Sequence, residues 1–283
     1  MESKKSAFIL PALLVYGTFV CLPILQTIYL SLFTYTGMTE STFSGLDNYF
    51  LLLKDPIFYR AFGNSVLLAI LSVAIQIPIA LLLALALYKK SKINSFLRAL
   101  VFSPLLVPST VIAAMFAIFY NPYDGLITAM VGLFKDGMII DFLGDESLAM
   151  LAIILAISWR HIGFHLLLLI AGLNYIDQSV IDAADVDGAK FSQKLRYVII
   201  PMLAPSLLLS CFFAVLGSLK YFDLVFLITK GGPNHQTELI TTYLYKEGFG
   251  SNHFGYASAM AVVLLFSALI IAFIIHRLRR RFV

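Results

Sequence analysis

The chain has 283 residues, of which 60% are hydrophobic and 13% charged, with a formal net charge of +4. Soluble domains carry about 25% charged and about 45–50% apolar residues, so this composition excludes an ordinary water-soluble globule. A mean hydropathy of +0.90 makes lipid the expected solvent for most of the chain, and no nucleic-acid partner is expected.

Six runs are long enough to cross about 20 residues of hydrocarbon thickness. They are Phe8–Phe33, Asn64–Tyr88, Arg98–Tyr120, Leu148–Leu173, Met202–Ile228 and Tyr256–His276. The first is too long for a signal-peptide core and lacks a small-residue cleavage site, so it is expected to be retained. Cys21 and Cys211 both sit in apolar runs, with neither metal spacing nor a disulfide framework. Thr36–Gly63 carries an aromatic segment, Asn48-Tyr49-Phe50. In the second span, Gln76 is expected to hydrogen-bond between helices. Pro11, Pro23, Pro78, Pro104 and Pro108 interrupt spans, as ordinary kinks or as hinges.

Asn121–Ser147 is acidic, with Asp124, Asp136, Asp141, Asp145 and Glu146 against one Lys. The fourth span holds Trp159, Arg160 and His161 about eleven to thirteen residues from its start, near mid-membrane at a rise of about 1.5 Å per residue. Charged groups at that depth are costly and are expected to face a cavity or a partner. His161 and His165 stand at i, i+4, but Ile162 occupies the place of the metalloprotease Glu, and no third ligand is evident; no metal is expected.

Asp182–Pro201 is a polar helical stretch between two apolar spans. Ile181, Ala184 and Gly188 fall at i, i+3 and i+7, so one helical face needs a partner. The fifth span holds Gly217, Ser218, Lys220, Tyr221 and Asp223, and the turn signal Lys230-Gly231-Gly232-Pro233 follows it.

Thirteen Lys and Arg residues fall in one set of alternate segments: Lys4, Lys5, Lys89, Lys90, Lys92, Arg98, Lys190, Lys194, Arg196, Arg277, Arg279, Arg280 and Arg281. The other set has five: Lys54, Arg60, Lys135, Lys230 and Lys246. This bias puts both termini and the Asp182–Pro201 loop in the cytoplasm.

Asp182-Ala183-Ala184, three residues, Gly188, nine residues, Val198, one residue and Ile200-Pro201 resembles the EAA loop of binding-protein-dependent ABC importer permeases. Asp182 stands for Glu, Val198 for Ile and Ile200 for Leu. Asp177 stands where many members have Pro and is suited to cap the helix. Further stretches resemble the carbohydrate branch of that family, in particular the maltose-type first partner of paired permeases. These are Pro11–Phe33, Gly45-Leu46-Asp47-Asn48-Tyr49, Gly63-Asn64-Ser65, Asn121–Gly125, Trp159, Phe222-Asp223-Leu224, Thr229–Pro233 and Phe254–Ala259.

The resemblance implies an all-α membrane protein: six transmembrane helices forming a single transmembrane domain over 1–283, with a cytoplasmic coupling loop at 174–200 between the fourth and fifth. It implies a non-enzymatic permease subunit of an ATP-driven sugar importer, with an oligosaccharide as the expected cargo, in a bacterial or archaeal inner membrane. The implied partners are a second homologous permease, two ATP-binding subunits, an extracytoplasmic sugar-binding protein and membrane lipid. ATP and Mg would be bound by the ATPase; this chain has no GxxxxGK[ST] phosphate loop, no catalytic residue and no cofactor of its own. Asp182, Ala183, Ala184, Asp185, Asp187 and Gly188 are implied to couple to the ATPase, with Gly188 in a left-handed turn. The implied substrate pathway comprises Trp159, Arg160, His161, Phe164, Gly217, Ser218, Tyr221 and Asp223.

The residue types suit a sugar, with aromatic faces for the ring and polar groups for hydroxyls. Internal pairing is the other reading: Lys220 with Asp223 at i, i+3, and Arg160 on backbone carbonyls. Arg160 beside His161 also raises an acidic sugar or sugar phosphate as cargo. An ion-gradient-driven secondary transporter of a small polar solute is the alternative function; it leaves the EAA-like loop unexplained.

Overall fold

The computed structural model describes residues 10–37, 41–132 and 139–279. Phe8, Lys4, Lys5, Lys135, Asp136, Arg280 and Arg281, used above to place the first span and weigh the loops, lie outside them. Among the described residues five helices are long and apolar enough to cross a membrane. They are Leu10–Leu30, Pro56–Leu87, Ala149–Leu173, Phe191–Ile228 and Phe254–Arg277; a bent pair, Lys92–Leu106 with Ser109–Phe119, makes a sixth when taken as one broken span.

In chain order, α1 is Leu10–Leu30, with a π-helical stretch at Gly17–Cys21. A two-residue hairpin pairs β1 (Phe33–Thr34) antiparallel with β2 (Thr42–Phe43). Then come α2 (Asp47–Leu52), α3 (Pro56–Leu87), α4 (Lys92–Phe102), α5 (Ser109–Phe119), α6 (Leu126–Gly132) and α7 (Ala149–Leu173). The short α8 (Gln178–Val186) precedes α9 (Phe191–Lys194), which runs through a π-helical turn into α10 (Ile200–Leu219). Finally there are α11 (Asp223–Ile228), α12 (Ile240–Tyr245) and α13 (Phe254–Arg279).

Two spans differ from the sequence reading. Arg98–Tyr120 is not one continuous helix: a 3-10 turn at Ser103–Leu106 follows α4, and the path bends by 97° before α5. The cause is Pro108, which has no N–H and drives Val107 out of the helical region to φ −76°, ψ 134°. Met202–Ile228 likewise breaks at Lys220–Phe222, where Phe222 takes φ −138°, ψ −54° and restarts the chain as α11. α3 begins eight residues earlier than read, at Pro56, because proline suits a first helical position and Asp55 Oδ1 accepts the Ile57 N–H at 2.8 Å.

The chain forms two compact units, residues 1–59 with 240–267 and residues 60–239 with 268–283. In the first, the Asn48-Tyr49-Phe50 segment lies on α2. Asn48 is buried and donates to the Ser31 and Phe33 carbonyls at 2.9 and 3.0 Å, and Tyr49 Oη lies 2.8 Å from Ser31 Oγ. These bonds satisfy carbonyls at the end of α1 and tie the loop to it.

Asp55 is the polar anchor of this unit, its Oδ2 accepting the hydroxyls of Tyr243 and Tyr256, each at 2.6 Å. Burial pushes the Asp55 carboxyl up, but these hydroxyls and the Ile57 and Phe58 N–H groups outweigh it and hold the group below its ordinary value. A depressed carboxylate contributes stability above its unfolded pKa and loses it as pH falls through the folded one. The wild-type unfolding midpoint is therefore expected to drop on acidification below about pH 4. Asp55→Asn should flatten that dependence in thermal scans of the solubilised protein; an equally steep acid loss in the variant contradicts the assignment.

In the second unit α7 is the most enclosed span, with more than half of its residues buried. One half of it packs with α5 and α11 residues around Ile112, Phe116, Ile153, Ile157, Leu224 and Val225. The other half packs with Ala80, Ala84, Ile199 and Leu203. Small residues allow this closeness where lipid gives no hydrophobic drive between helices. A Cβ added at Gly163 would stand 2.6 Å from Phe102 Cα, against backbone that has no room to yield. Gly163→Ala is expected to cost about 1–3 kcal/mol through overpacking, read as a lowered unfolding temperature. An unchanged midpoint would show that α4 and α7 part freely.

Candidate functional site

Two sets of residues are placed by this fold: a cleft among the membrane helices of the second unit, and the exposed helix α8.

The cleft has a volume of about 190 Å³. It is lined by Ser72 and Gln76 of α3, Leu105, Ile157, His161, Phe164 and His165 of α7, Phe213, Ala214, Gly217 and Ser218 of α10, and Tyr221 at the break. Five residues expected on the substrate pathway, His161, Phe164, Gly217, Ser218 and Tyr221, meet here.

The polar groups on α3, α7 and α10 are held by hydrogen bonds. The Gln76 amide donates to Ser158 Oγ at 3.4 Å and accepts from His165 Nε2 at 3.1 Å. The other nitrogen of His165, Nδ1, lies 2.7 Å from Ser210 Oγ, so a neutral ring carries its proton on Nε2 and accepts the serine hydroxyl. Gln76 thus joins helices as its sequence position predicts, and His165, 2% exposed, is a core residue of that chain of bonds. His161 donates Nδ1–H to the Ile157 carbonyl at 2.9 Å, which leaves Nε2 of the neutral ring with a lone pair to accept from a ligand. Its ring stands edge-on to Tyr221 at 5.6 Å. Phe164 stands edge-on to Phe213 at 5.4 Å. Ser218 donates to the Ala214 carbonyl at 2.7 Å and lies 3.1 Å from Ser72 Oγ.

Arg160 and Asp223 flank the cleft without lining it. Arg160 Nη1 donates to Asp223 Oδ2 at 2.9 Å and to Ser109 Oγ at 2.8 Å; Ser109 in turn donates to Asp223. Asp223 is therefore paired with Arg160, not with Lys220, and Arg160 binds side chains rather than carbonyls. The three residues come from the two helix breaks and α7, so one ion pair fastens both interruptions to the central helix. Trp159 lies apart, 42% exposed and edge-on to Phe116 at 5.6 Å.

Sequence reasoning missed Ser72, Leu105, Ile157, Phe213 and Ala214, and it did not put Gln76 or His165 in the cleft. The signal was helical spacing. Ile157, His161, Phe164 and His165 fall at i, i+4, i+7 and i+8, and Phe213, Gly217, Ser218 and Tyr221 at i, i+4, i+5 and i+8.

Helix α8 carries the other set. Asp177 caps it, its carboxylate accepting the Ser179 N–H at 3.0 Å; that bond holds the group below its ordinary carboxylate value. At the other end Gly188 N–H bonds to the Asp185 carbonyl at 3.1 Å and Ala189 N–H to that of Ala184 at 3.0 Å. This is a Schellman close, which needs the left-handed φ of +73° that Gly188 adopts. Gly188 therefore lies beyond the helix, and the shared face is reduced to Ile181 and Ala184. Gln178 donates to Asp182 at 2.9 Å, and Asp185 pairs with Lys194. Asp182, Ala183, Asp185, Val186 and Asp187 are exposed, and α8 buries no residue. Among the described residues no group of three His, Cys, Asp or Glu side chains lies close enough to share a metal ion.

A membrane-helix core, a polar cleft at two broken spans and a capped helix free on one side form the framework of an importer permease. The sequence profile described as "Binding-protein-dependent transport system inner membrane component" matches residues 76–283, and the chain belongs to that family of ABC importer permeases. It is similar to the probable ABC transporter permease protein YurN of Bacillus subtilis, 36% identical, over 91% of this chain and 89% of that protein. It is also similar to the lactose transport system permease protein LacF of Rhizobium radiobacter, 31% identical, over 94% and 91%. The crystal structure of a bacterial ABC transporter involved in the import of the acidic polysaccharide alginate shares the fold, with a TM-score of 0.84 at 22% identity over 99% of this chain and 96% of that one. The family sets the chain among multi-pass permeases of ATP-driven importers, not ion-gradient carriers.

Proposed function

We propose that the whole chain acts as one transmembrane domain, half of the translocation pathway of a sugar importer. The cleft carries this reading: aromatic rings at Phe164, Phe213 and Tyr221 beside the polar groups of Ser72, Gln76, His161 and Ser218. Pyranose rings need that mixture. The lactose permease among its relatives supports the same class.

At about 190 Å³ the cleft is smaller than the roughly 300–1,000 Å³ of a complete ligand pocket. A second, homologous permease supplies the other wall. Arg160 and Asp223 shape this chain's wall from behind, and Trp159 faces the partner or the lipid. Two ATP-binding subunits hold ATP and Mg, so this chain is not itself an enzyme, and an extracytoplasmic binding protein delivers the sugar. Both termini and α8 lie on the cytoplasmic side, as the Lys and Arg bias indicates. There Asp182, Ala183, Ala184, Asp185, Asp187 and Gly188 form the coupling surface. Closure of the two ATPases moves the coupling helices together and rocks the spans between inward-open and outward-open states.

Proteoliposomes holding the co-purified assembly should take up labelled sugar only when ATP and the binding protein are both present. Uptake by this chain alone, driven by an ion gradient, contradicts the reading.

A further inference from the structure

Arg160 brings to the edge of the cleft the positive charge that raised an acidic cargo. In the structure that charge is already answered. Its side chain is 14% exposed, bonded to Asp223 at 2.9 Å and Ser109 at 2.8 Å. The Tyr221 hydroxyl lies against the same guanidinium. The cleft itself is lined by hydroxyls, an amide, two imidazoles and apolar groups, without a carboxylate, Lys or Arg.

We propose that Asp223 is a specificity-determining residue: by neutralising Arg160 it fits this half of the pathway to uncharged sugars and against uronates and sugar phosphates. The inference rests on the cleft being the sugar path. An anion entering a poorly hydrated cleft loses its water and needs a cation in return. Arg160 is the nearby cation, and Asp223 holds it from within the same chain, at a high effective concentration that a dissolved ligand must overcome. Neutral hydroxyls need only donors and acceptors, which Ser72, Gln76, His161 and Ser218 supply.

The test is equilibrium binding of radiolabelled maltotriose and trigalacturonate to the purified assembled transporter without its binding protein. Wild type should prefer maltotriose. Asp223→Asn keeps the side-chain size but frees the charge of Arg160, and should raise the affinity for trigalacturonate relative to maltotriose by roughly tenfold or more. Removing both charges, in Arg160→Gln with Asp223→Asn, should return the ratio to that of wild type. Arg160→Gln alone leaves a bare carboxylate and should lower the ratio. Equal affinities in wild type, or a ratio that moves with neither single substitution, overturns the charge assignment alone. Binding of neither trisaccharide to wild type overturns the sugar path and this inference with it.

Discussion

Ala183→Arg should leave the chain in the membrane and abolish transport. Ala183 is exposed on α8, a helix held at both ends by its own caps and burying no residue of its own. On the proposed docking its methyl would let a partner backbone approach, and an Arg there would both fill the space and bring a charge to be desolvated. A change of this kind at the centre of a docking surface costs about 2–4 kcal/mol, which weakens association by about thirty- to a thousandfold. The helix itself should be unharmed, because Arg is a good helix former. The ATP-binding subunit should then be lost on purification while the level of this chain in the membrane is unchanged. Full uptake and retained co-purification in the variant would show that α8 is not the docking element.

Arg160→Met should be the most destabilising single charge removal in the second unit. It strands Asp223 beside Ser109 and between two helix breaks, with 41% of its side chain exposed. Removing one partner of a fully buried pair costs about 3–5 kcal/mol; the partial exposure of Asp223 brings the expectation to about 2–3 kcal/mol, in line with hydrogen bonds to charged groups. Much of that penalty belongs to the orphaned carboxylate, so adding Asp223→Asn should recover part of it. A double-mutant cycle on unfolding temperature isolates the coupling. Additive losses would mean the pair does not fasten the breaks to α7.

The spans were legible because a run of apolar residues long enough to cross lipid has few other destinations. Gln76 was legible too, since a lone amide in such a run must find a partner on another helix. The caps of α8 were readable from Asp177 and Gly188, whose chemistry is local. What sequence did not give was the depth of the two interruptions. Pro104 and Pro108 announce a kink, but Pro78 lies inside α3 without breaking it, and a bend of 97° is decided by what packs around it. The partner of Asp223 was equally hidden. Lys220 is near in sequence, but the helix ends at Leu219, and Arg160 and Ser109 arrive from elsewhere in the chain. The missed cleft residues on α7 and α10 share faces with expected ones, whereas Ser72 on α3 had no such neighbour to point to it; which face turns inward is set by tertiary packing.

The most direct measurement is cross-linking from α8 in the assembled transporter, with Cys21 and Cys211 replaced. Val186 is 88% exposed at the end of that helix, and Val186→Cys offers a reactive thiol there. A bifunctional reagent should join it to a cysteine on the ATP-binding subunit and stop ATP-driven uptake, and cleaving the link should restore both. Uptake that proceeds while Val186→Cys is reached only by reagents in the lipid surface would contradict the account.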